Sequence, residues 1–157
     1  MIQRIQSVYM LLAALSLGAM FFFPLASFIG GDKDQLVYFV YELISKVPDS
    51  VPSVPFYFIY PILTLTILTI LLSLFAIVQF KNRGAQLKMI RGAILLILVM
   101  IGVFFFYCSP LLEEASGTLT EYEIGSYMPL VALMFLILSN RGIMHDIKLL
   151  RSADRLR

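Results

Sequence analysis

The chain has 157 residues, a length that suits one domain. Hydrophobic residues make up 60% of it and charged residues 14%, whereas soluble domains are roughly half apolar and a quarter charged. This composition excludes an ordinary soluble globular protein and favours one that lies in a membrane. The formal net charge of +2 says little by itself, and the single cysteine, Cys108, excludes an internal disulfide.

Four apolar runs are candidates for membrane-spanning helices, which need about 20 apolar residues each. We predict the spans at residues 5–28, 56–80, 90–109 and 122–139. The fourth run is the weakest, because Gly125, Ser126 and Pro129 interrupt it. The sequence therefore predicts an all-α membrane protein, a single membrane domain over residues 1–157 in which four transmembrane helices form a bundle.

The distribution of charge orients these spans, because basic residues that flank a span are retained on the cytoplasmic side. The predicted inner loop, residues 81–89, and the tail, residues 140–157, hold most of the cations. We therefore place both of them, together with the N-terminus, in the cytoplasm. Ten of the twelve Lys and Arg residues then lie inside, and the other two lie in the outer loop 29–55. In a second outer loop, residues 110–121, all of the charged residues are acids.

The outer loops leave some local structure open. Residues 36–41 are rich in strand formers, but the apolar residues between Leu36 and Val47 would also line one face of a helix. The pattern alone does not separate these interpretations. In the second outer loop, Thr120 and Glu123 have the spacing of a capping box at the start of the fourth helix.

The tail is basic and amphipathic. Ile143, Ile147 and Leu150 share one helical face, so we predict a short cytoplasmic amphipathic C-terminal helix that either continues the fourth span or lies on the inner surface. Anionic lipid attracts such a segment by about 1 kcal/mol per nearby cation. A docking helix for a cytoplasmic protein or RNA is the alternative, although the sequence gives no direct evidence for nucleic acid.

The predicted inner face supplies the candidate contact residues for lipid or a protein partner. They are charged residues at the ends of the spans and in the tail, namely Arg4, Arg83, Lys88, Arg91, Arg151, Asp154, Arg155 and Arg157. We expect membrane lipids as partners and leave open a membrane or cytoplasmic protein partner.

Small and hydroxyl-bearing residues mark the candidate surfaces for helix packing. Ala14 and Gly18 are four residues apart in the first span, and Thr66, Thr69 and Ser73 recur on one face of the second. Such faces let membrane helices approach closely. We interpret them as packing inside the bundle, and the alternatives are contact between copies in a homo-oligomer or a polar transport path.

No residues in the sequence indicate a catalytic, cofactor-binding or metal site. His145 is the only histidine, which argues against a histidine-based metal site or a catalytic triad. The apolar cores of the four spans contain no ionisable residue, whereas transporters and proton relays keep one inside a span. We therefore predict that the protein is not an enzyme and has no cofactor.

Aromatic residues are concentrated toward the predicted outer side. The densest groups are residues 21–23 and 104–107. A belt at the membrane interface, with packing inside the bundle, accounts for them. The alternative is an aromatic-walled outer cavity for a lipid or another apolar ligand.

Four segments are distinctive, with the sequences Gln3-Arg4-Ile5-Gln6, Phe80-Lys81-Asn82-Arg83, Met128-Pro129-Leu130-Val131-Ala132-Leu133 and Arg151-Ser152-Ala153-Asp154-Arg155-Leu156-Arg157. They resemble an uncharacterised family of small four-span bacterial membrane proteins, a domain of unknown function. The resemblance covers nearly the full length. It implies the inner membrane of a Gram-negative cell, and it brings no activity or substrate with it.

The function expected from these observations is a non-enzymatic one. We expect an integral inner-membrane protein that acts as an accessory or scaffold subunit, whose basic cytoplasmic face binds anionic lipid or a partner protein. The alternative is a small carrier or lipid-binding protein with an aromatic outer cavity.

Overall fold

The computed structural model describes residues 2–30, 34–45, 56–80, 82–117 and 119–154. Side chains are described for residues 5–28, 36–45, 57–80, 82–117 and 119–149. Several predicted contact residues lie outside this description, either by their side chains alone or entirely: Arg4, Arg151, Asp154, Arg155 and Arg157.

Five α-helices and four short strands make up most of the described chain. In chain order they are α1 (Ile2–Ala19), β1 (Ala26–Gly30), β2 (Asp34–Tyr38), β3 (Leu43–Ser45), α2 (Tyr60–Val78), α3 (Arg83–Val103), α4 (Ser109–Ser116), β4 (Glu121–Tyr122) and α5 (Ile124–Asp154). A 3₁₀ turn, Phe56–Ile59, precedes α2, and a π-helical segment, Phe104–Cys108, joins α3 to α4.

The four long helices form a ring in the order α1, α2, α3, α5, in which each helix packs against its two neighbours. Buried apolar side chains such as Leu17, Ile97 and Leu136 fill the interior. The predicted α-helical class is therefore confirmed. Among the described residues, three segments are long and apolar enough to span a membrane, Tyr57–Val78, Arg83–Ser116 and Ile124–Leu149, and the apolar part of α1 is shorter.

The predicted first span, residues 5–28, is too long. α1 ends at Ala19, and the chain turns over residues 20–23. The backbone N–H of Leu25 then donates to the carbonyl of Tyr38 in β2 at 2.8 Å. The rest of the apolar run becomes β1, because a short apolar run fits a buried strand as well as a helix.

The first outer loop contributes strands, which decides between the two patterns left open above. β2 and β3 join β1 and β4 in an antiparallel sheet with the order β3-β2-β1-β4. Ala26 of β1 lies opposite both Tyr38 and Tyr122, one on each side. This sheet is an addition to the predicted helical architecture and covers one end of the bundle, which we call the sheet end.

The predicted inner loop, residues 81–89, is mostly helical. Asn82 caps α3, since its Oδ1 accepts a hydrogen bond from the backbone N–H of Ala85 at 3.1 Å. The N–H of Asn82 donates to the carbonyl of Gln79, so α2 and α3 are joined by a tight turn. Two of the cations that favoured a loop, Arg83 and Lys88, lie on the first turns of α3, and Lys81 lies outside the described residues. We call this end of the bundle, where α1 also begins and α5 ends, the hairpin end.

The predicted third span, residues 90–109, lies inside a longer helical path. The helical path starts at Arg83 and continues through the π-helical segment into α4, so part of the predicted outer loop 110–121 is helical. Gly117 ends α4 in the left-handed conformation, with φ of 69°, which glycine adopts without steric cost.

All but the first two residues of the predicted fourth span, residues 122–139, lie in α5. α5 continues without a break through Pro129 to Asp154. The tail therefore extends the fourth helix, which is one of the two alternatives given above. No separate short C-terminal helix forms within the part of the chain that the structure describes.

Candidate functional site

A buried carboxylate connects three helices at the hairpin end. Asp146 of α5 is only 7% exposed, and its Oδ2 accepts a hydrogen bond from Nε2 of Gln6 in α1 at 2.9 Å. Nη1 of Arg83, at the start of α3, lies 3.7 Å from the same oxygen. Because these partners come from different helices, the contacts fix the position of α5 relative to α1 and α3.

Further polar contacts extend this cluster. Nε2 of the buried Gln86 donates to the carbonyl of Ala76 in α2 at 3.0 Å. The hydroxyl of Ser139 donates to the carbonyl of Gln6 at 3.3 Å. Gly142 leaves room for Gln6, since a Cβ there would lie 3.1 Å from the Gln6 side chain. We call Gln6, Arg83, Gln86, Ser139 and Asp146 the polar cluster.

The polar cluster is suited to a structural role, in which it holds the helices together. A buried charge is costly unless it is paired and hydrogen-bonded, and Asp146 has both a hydrogen bond and a cation nearby. The cluster contains no nucleophile beside a general base. No group of three or more His, Cys, Asp and Glu residues among the described residues is placed to hold a metal ion.

Exposed cations surround the polar cluster on α3 and α5. Lys88 and Arg91 were predicted as contact residues and are exposed on α3, and Arg141 and Lys148 are exposed on α5. Nη2 of Arg91 lies 3.5 Å from Sδ of Met144, which places α3 and α5 side by side here. Arg83, also predicted as a contact residue, is partly buried in its ion pair instead.

The predicted packing residues lie in different surroundings. Thr66, Thr69 and Ser73 are fully buried, and each hydroxyl donates to the carbonyl four residues back. The hydroxyl of Thr66 also contacts the sulfur of Met100 in α3 at 3.3 Å. Ala14 is buried as well, but a Cβ at Gly18 would meet no atom within 4 Å. This face of α2 therefore points into the bundle. Gly18, in contrast, does not mark a close approach between helices.

At the sheet end, short hydrogen bonds join neighbouring elements. The hydroxyl of Ser27 donates to Oε1 of Glu123 at 2.9 Å. The hydroxyl of Thr120 donates to Oε1 of Glu113 at 2.6 Å and lies 2.7 Å from that of Ser109. The predicted capping box is therefore wrong, because both of its side chains have other partners.

The aromatic residues of the sheet end are packed or exposed, with little space between them. The buried Tyr38 ring packs against Phe58 and Phe104, with centroids 5.4 and 6.5 Å away. Phe22 and Phe106 are 82% and 87% exposed. The cavity beside this cluster, between α2, α5 and the π-helical segment, measures about 10 Å³, which holds about one water molecule.

Sequence reasoning missed four members of the polar cluster, Gln6, Gln86, Ser139 and Asp146. A signal existed for the two glutamines, since each is a polar residue at a position where helical spacing places apolar neighbours inside. Gln6 shares a face with Met10, Ala13 and Leu17. Their partners are far away in sequence, with Gln6 and Asp146 separated by 140 positions, so no local pattern indicates the pairing.

Comparison with protein-family models gives one finding. The model described as DUF4293, a domain of unknown function, matches residues 2–156. A comparison with curated proteins found no match. Because the match covers nearly the whole chain, the chain belongs to this family, and the predicted membership of an uncharacterised family is confirmed.

Proposed function

We propose that this member of the family is a non-enzymatic scaffold or accessory protein of a bacterial inner membrane. It spans the membrane four times, with both termini in the cytoplasm. Its exposed cations at the hairpin end bind the headgroups of anionic phospholipids. The exposed cations and the apolar helices contribute separately to membrane attachment. A different observation supports each contribution.

Four spans are supported by the packing of α1. Its 18 residues correspond to about 27 Å, close to the thickness of the hydrocarbon core of about 30 Å. It lies in the ring beside α2 and α5, which are long and apolar enough to cross the membrane. The outward faces of the helices are apolar, as Leu15 of α1 and Leu71 of α2 illustrate. A helix packed in this position crosses the membrane with its neighbours.

The orientation is supported by the separation of charge between the two ends. Cations dominate the hairpin end, whereas Glu113, Glu114, Glu121 and Glu123 lie at the sheet end. The rule that retains basic flanking residues in the cytoplasm places the hairpin end inside. A reporter enzyme fused after residue 157 should be active in the cytoplasm, and activity in the periplasm would contradict the orientation.

The observation that carries the lipid-binding proposal is the surface formed by Lys88, Arg91, Arg141 and Lys148. These four cations are exposed on two adjacent helices. Asp146, the acid of this part of α5, is turned inward and already paired. The surface is thus cationic without a neutralising acid in the described residues, and each cation near an anionic leaflet contributes about 1 kcal/mol.

The test is lipid retention by the full-length protein. We expect native mass spectrometry from mild detergent to show retained phosphatidylglycerol in preference to phosphatidylcholine of the same chain length. A variant with all four cations changed to Gln should lose this preference. Equal retention of the two lipids by the unmodified protein would overturn the proposal.

The carrier alternative has no comparable support among the residues that the structure describes. One cavity beside the aromatic cluster holds about one water molecule, which is too small for a lipid tail. A protein partner remains an outcome of the test. Truncation after Lys148 keeps the buried Ile143 and Asp146 in place, and loss of the lipid preference on truncation would assign it to the tail beyond Lys148.

A further inference from the structure

The contacts between α2 and α3 fix the depth of Arg91 in the bundle. Gln86 of α3 lies level with Ala76 of α2, because its Nε2 bonds the Ala76 carbonyl at 3.0 Å. Arg91 is five residues further along α3, about 7.5 Å toward the middle of the bundle. The contact of Thr66 with Met100 gives the same register to within about a turn. Arg91 is therefore level with the part of α2 between Leu71 and Phe75.

α2 stays apolar well past that level. Phe75, Val78 and Phe80 are 60%, 71% and 54% exposed, and they lie at or beyond the level of Arg91 toward the hairpin end. The apolar surface of α2 therefore extends about 7 to 13 Å further than that of α3. If α2 sets the position of the membrane surface, Arg91 lies below it.

Arg141 lies at about the same depth as Arg91, because two contacts between α3 and α5 bracket its position. If Met144 is level with Arg91, whose side chain it contacts at 3.5 Å, Arg141 lies about 4.5 Å nearer the middle of the bundle than Arg91. If Asp146 is level with Arg83, its ion-pair partner at 3.7 Å, Arg141 lies about 4.5 Å nearer the hairpin end than Arg91. The mean of the two registers places Arg141 level with Arg91.

Two exposed guanidinium groups at this depth need an anionic partner. Cations that face lipid are costly unless they reach the interface or are paired. Asp146 does not serve them, since it lies on the inward face with Gln6 and Arg83. The headgroup of an anionic phospholipid in the surrounding bilayer can supply that partner.

We propose that Arg91 and Arg141 form a binding site for one anionic phospholipid whose headgroup is held below the membrane surface set by α2. The two guanidinium groups hold the phosphate, for which their planar donor pattern is suited. This inference rests on the proposed lipid-binding function and adds a specific site to it. We call Arg91 and Arg141 the deep cations, and Lys88 and Lys148 the shallow cations.

The test compares two double variants that remove the same charge from the same two helices. In R91Q/R141Q the deep cations are lost, and in K88Q/K148Q the shallow ones. Retention of phosphatidylglycerol by each full-length variant is measured by native mass spectrometry. We expect R91Q/R141Q to reduce retention about tenfold and K88Q/K148Q to reduce it about twofold or less, since only the deep pair makes charge-assisted hydrogen bonds.

The outcomes separate this site from the general proposal. Equal losses in both double variants would overturn the deep site and leave diffuse lipid binding intact. No loss in either variant, with no loss on changing all four cations, would overturn both. R91K/R141K guards against misfolding, because it keeps the charge and loses the planar donor pattern. We expect it to retain an intermediate amount of lipid, and retention equal to the unmodified protein would contradict phosphate recognition by the guanidinium groups.

Discussion

The two ends of the bundle are held together in different ways. At the sheet end, backbone hydrogen bonds and packed aromatic rings make most of the contacts between elements, as in the pairing of Ala26 with Tyr38 and Tyr122. At the hairpin end, side chains carry the contacts across helices, and Asp146 is their centre. The first end depends on how closely the backbone can approach, and the second depends on whether polar side chains find partners.

This difference separates roles that charge alone does not distinguish. Cations at the hairpin end whose side chains the structure describes fall into two groups, with Arg83 paired inside and four others exposed. The acids of the sheet end include Glu113 and Glu123, which accept hydrogen bonds from hydroxyls nearby. Substitutions at each end should therefore destabilise the protein for different reasons.

Gly125→Ala should be the most damaging single change. A Cβ at Gly125 would lie 2.4 Å from the carbonyl oxygen of Pro24 and 2.7 Å from that of Phe23. Both are backbone atoms, so the start of α5 must move away from the turn before β1. We expect a loss of about 3 kcal/mol from this overpacking. Thermal unfolding in detergent, followed by circular dichroism because the chain has no Trp, should show the midpoint lowered by roughly 6 to 12 °C.

The matched control for this change is Gly92→Ala in α3. A Cβ there meets no atom within 4 Å, and alanine favours a helix over glycine by about 1 kcal/mol. The control should therefore unfold at the same temperature as the unmodified protein or a higher one. If Gly125→Ala and Gly92→Ala unfold alike, close backbone approach does not hold the sheet end in place.

Asp146→Ala tests the polar cluster at the opposite end. The change leaves Nε2 of Gln6 buried without its acceptor and removes the partner of Arg83. We expect a loss of about 2 kcal/mol, which is typical of a hydrogen bond to a charged group. Asp146→Asn keeps an acceptor for Gln6 and loses the charge, so its unfolding temperature should fall by less. Equal effects of the two variants would show that the ion pair, and not the hydrogen bond, carries the stabilisation.

The sequence predicted the helices well and their ends poorly. Apolar runs located all four long helices, because burial in lipid or protein requires apolar residues on every turn of a helix. It placed the end of the first span at residue 28 rather than at Ala19, since Leu25 to Phe28 are as apolar as the helix before them. The strand there is selected by pairing with Tyr38, a contact that the run itself does not encode.

The candidate site was predicted in part for a similar reason. Charge counting identified Lys88 and Arg91, which are exposed, but it treated Arg83 as their equivalent. The partner that distinguishes Arg83 is Asp146, 63 positions away by their numbers, and only the folded bundle brings them within 3.7 Å. The depth of Arg141 likewise follows from its helix neighbours and not from its own position in the sequence.

Ser27→Ala should have a smaller effect at the sheet end. Ser27 is buried in β1, and its hydroxyl bonds Oε1 of Glu123 just before α5. Backbone pairing of β1 with β2 and β4 is unaffected by the change, so we expect a loss of about 1 kcal/mol, seen as a small drop in the unfolding temperature. A drop as large as that of Gly125→Ala would show that side chains hold this end together as they do the hairpin end.

Gly18→Ala should change stability least. Gly18 was predicted to allow close helix approach together with Ala14, but a Cβ at Gly18 meets no atom within 4 Å. Inside α1 the change should be neutral or stabilising by up to about 1 kcal/mol, because alanine favours the helix. Gly18 lies near the end of α1, and its carbonyl accepts a hydrogen bond from the backbone N–H of Phe21 at 3.2 Å, a contact that the change leaves intact. A clear destabilisation, or a shift in oligomeric state by size-exclusion chromatography, would mean that another copy of the chain packs against Gly18, since the bundle itself has space there.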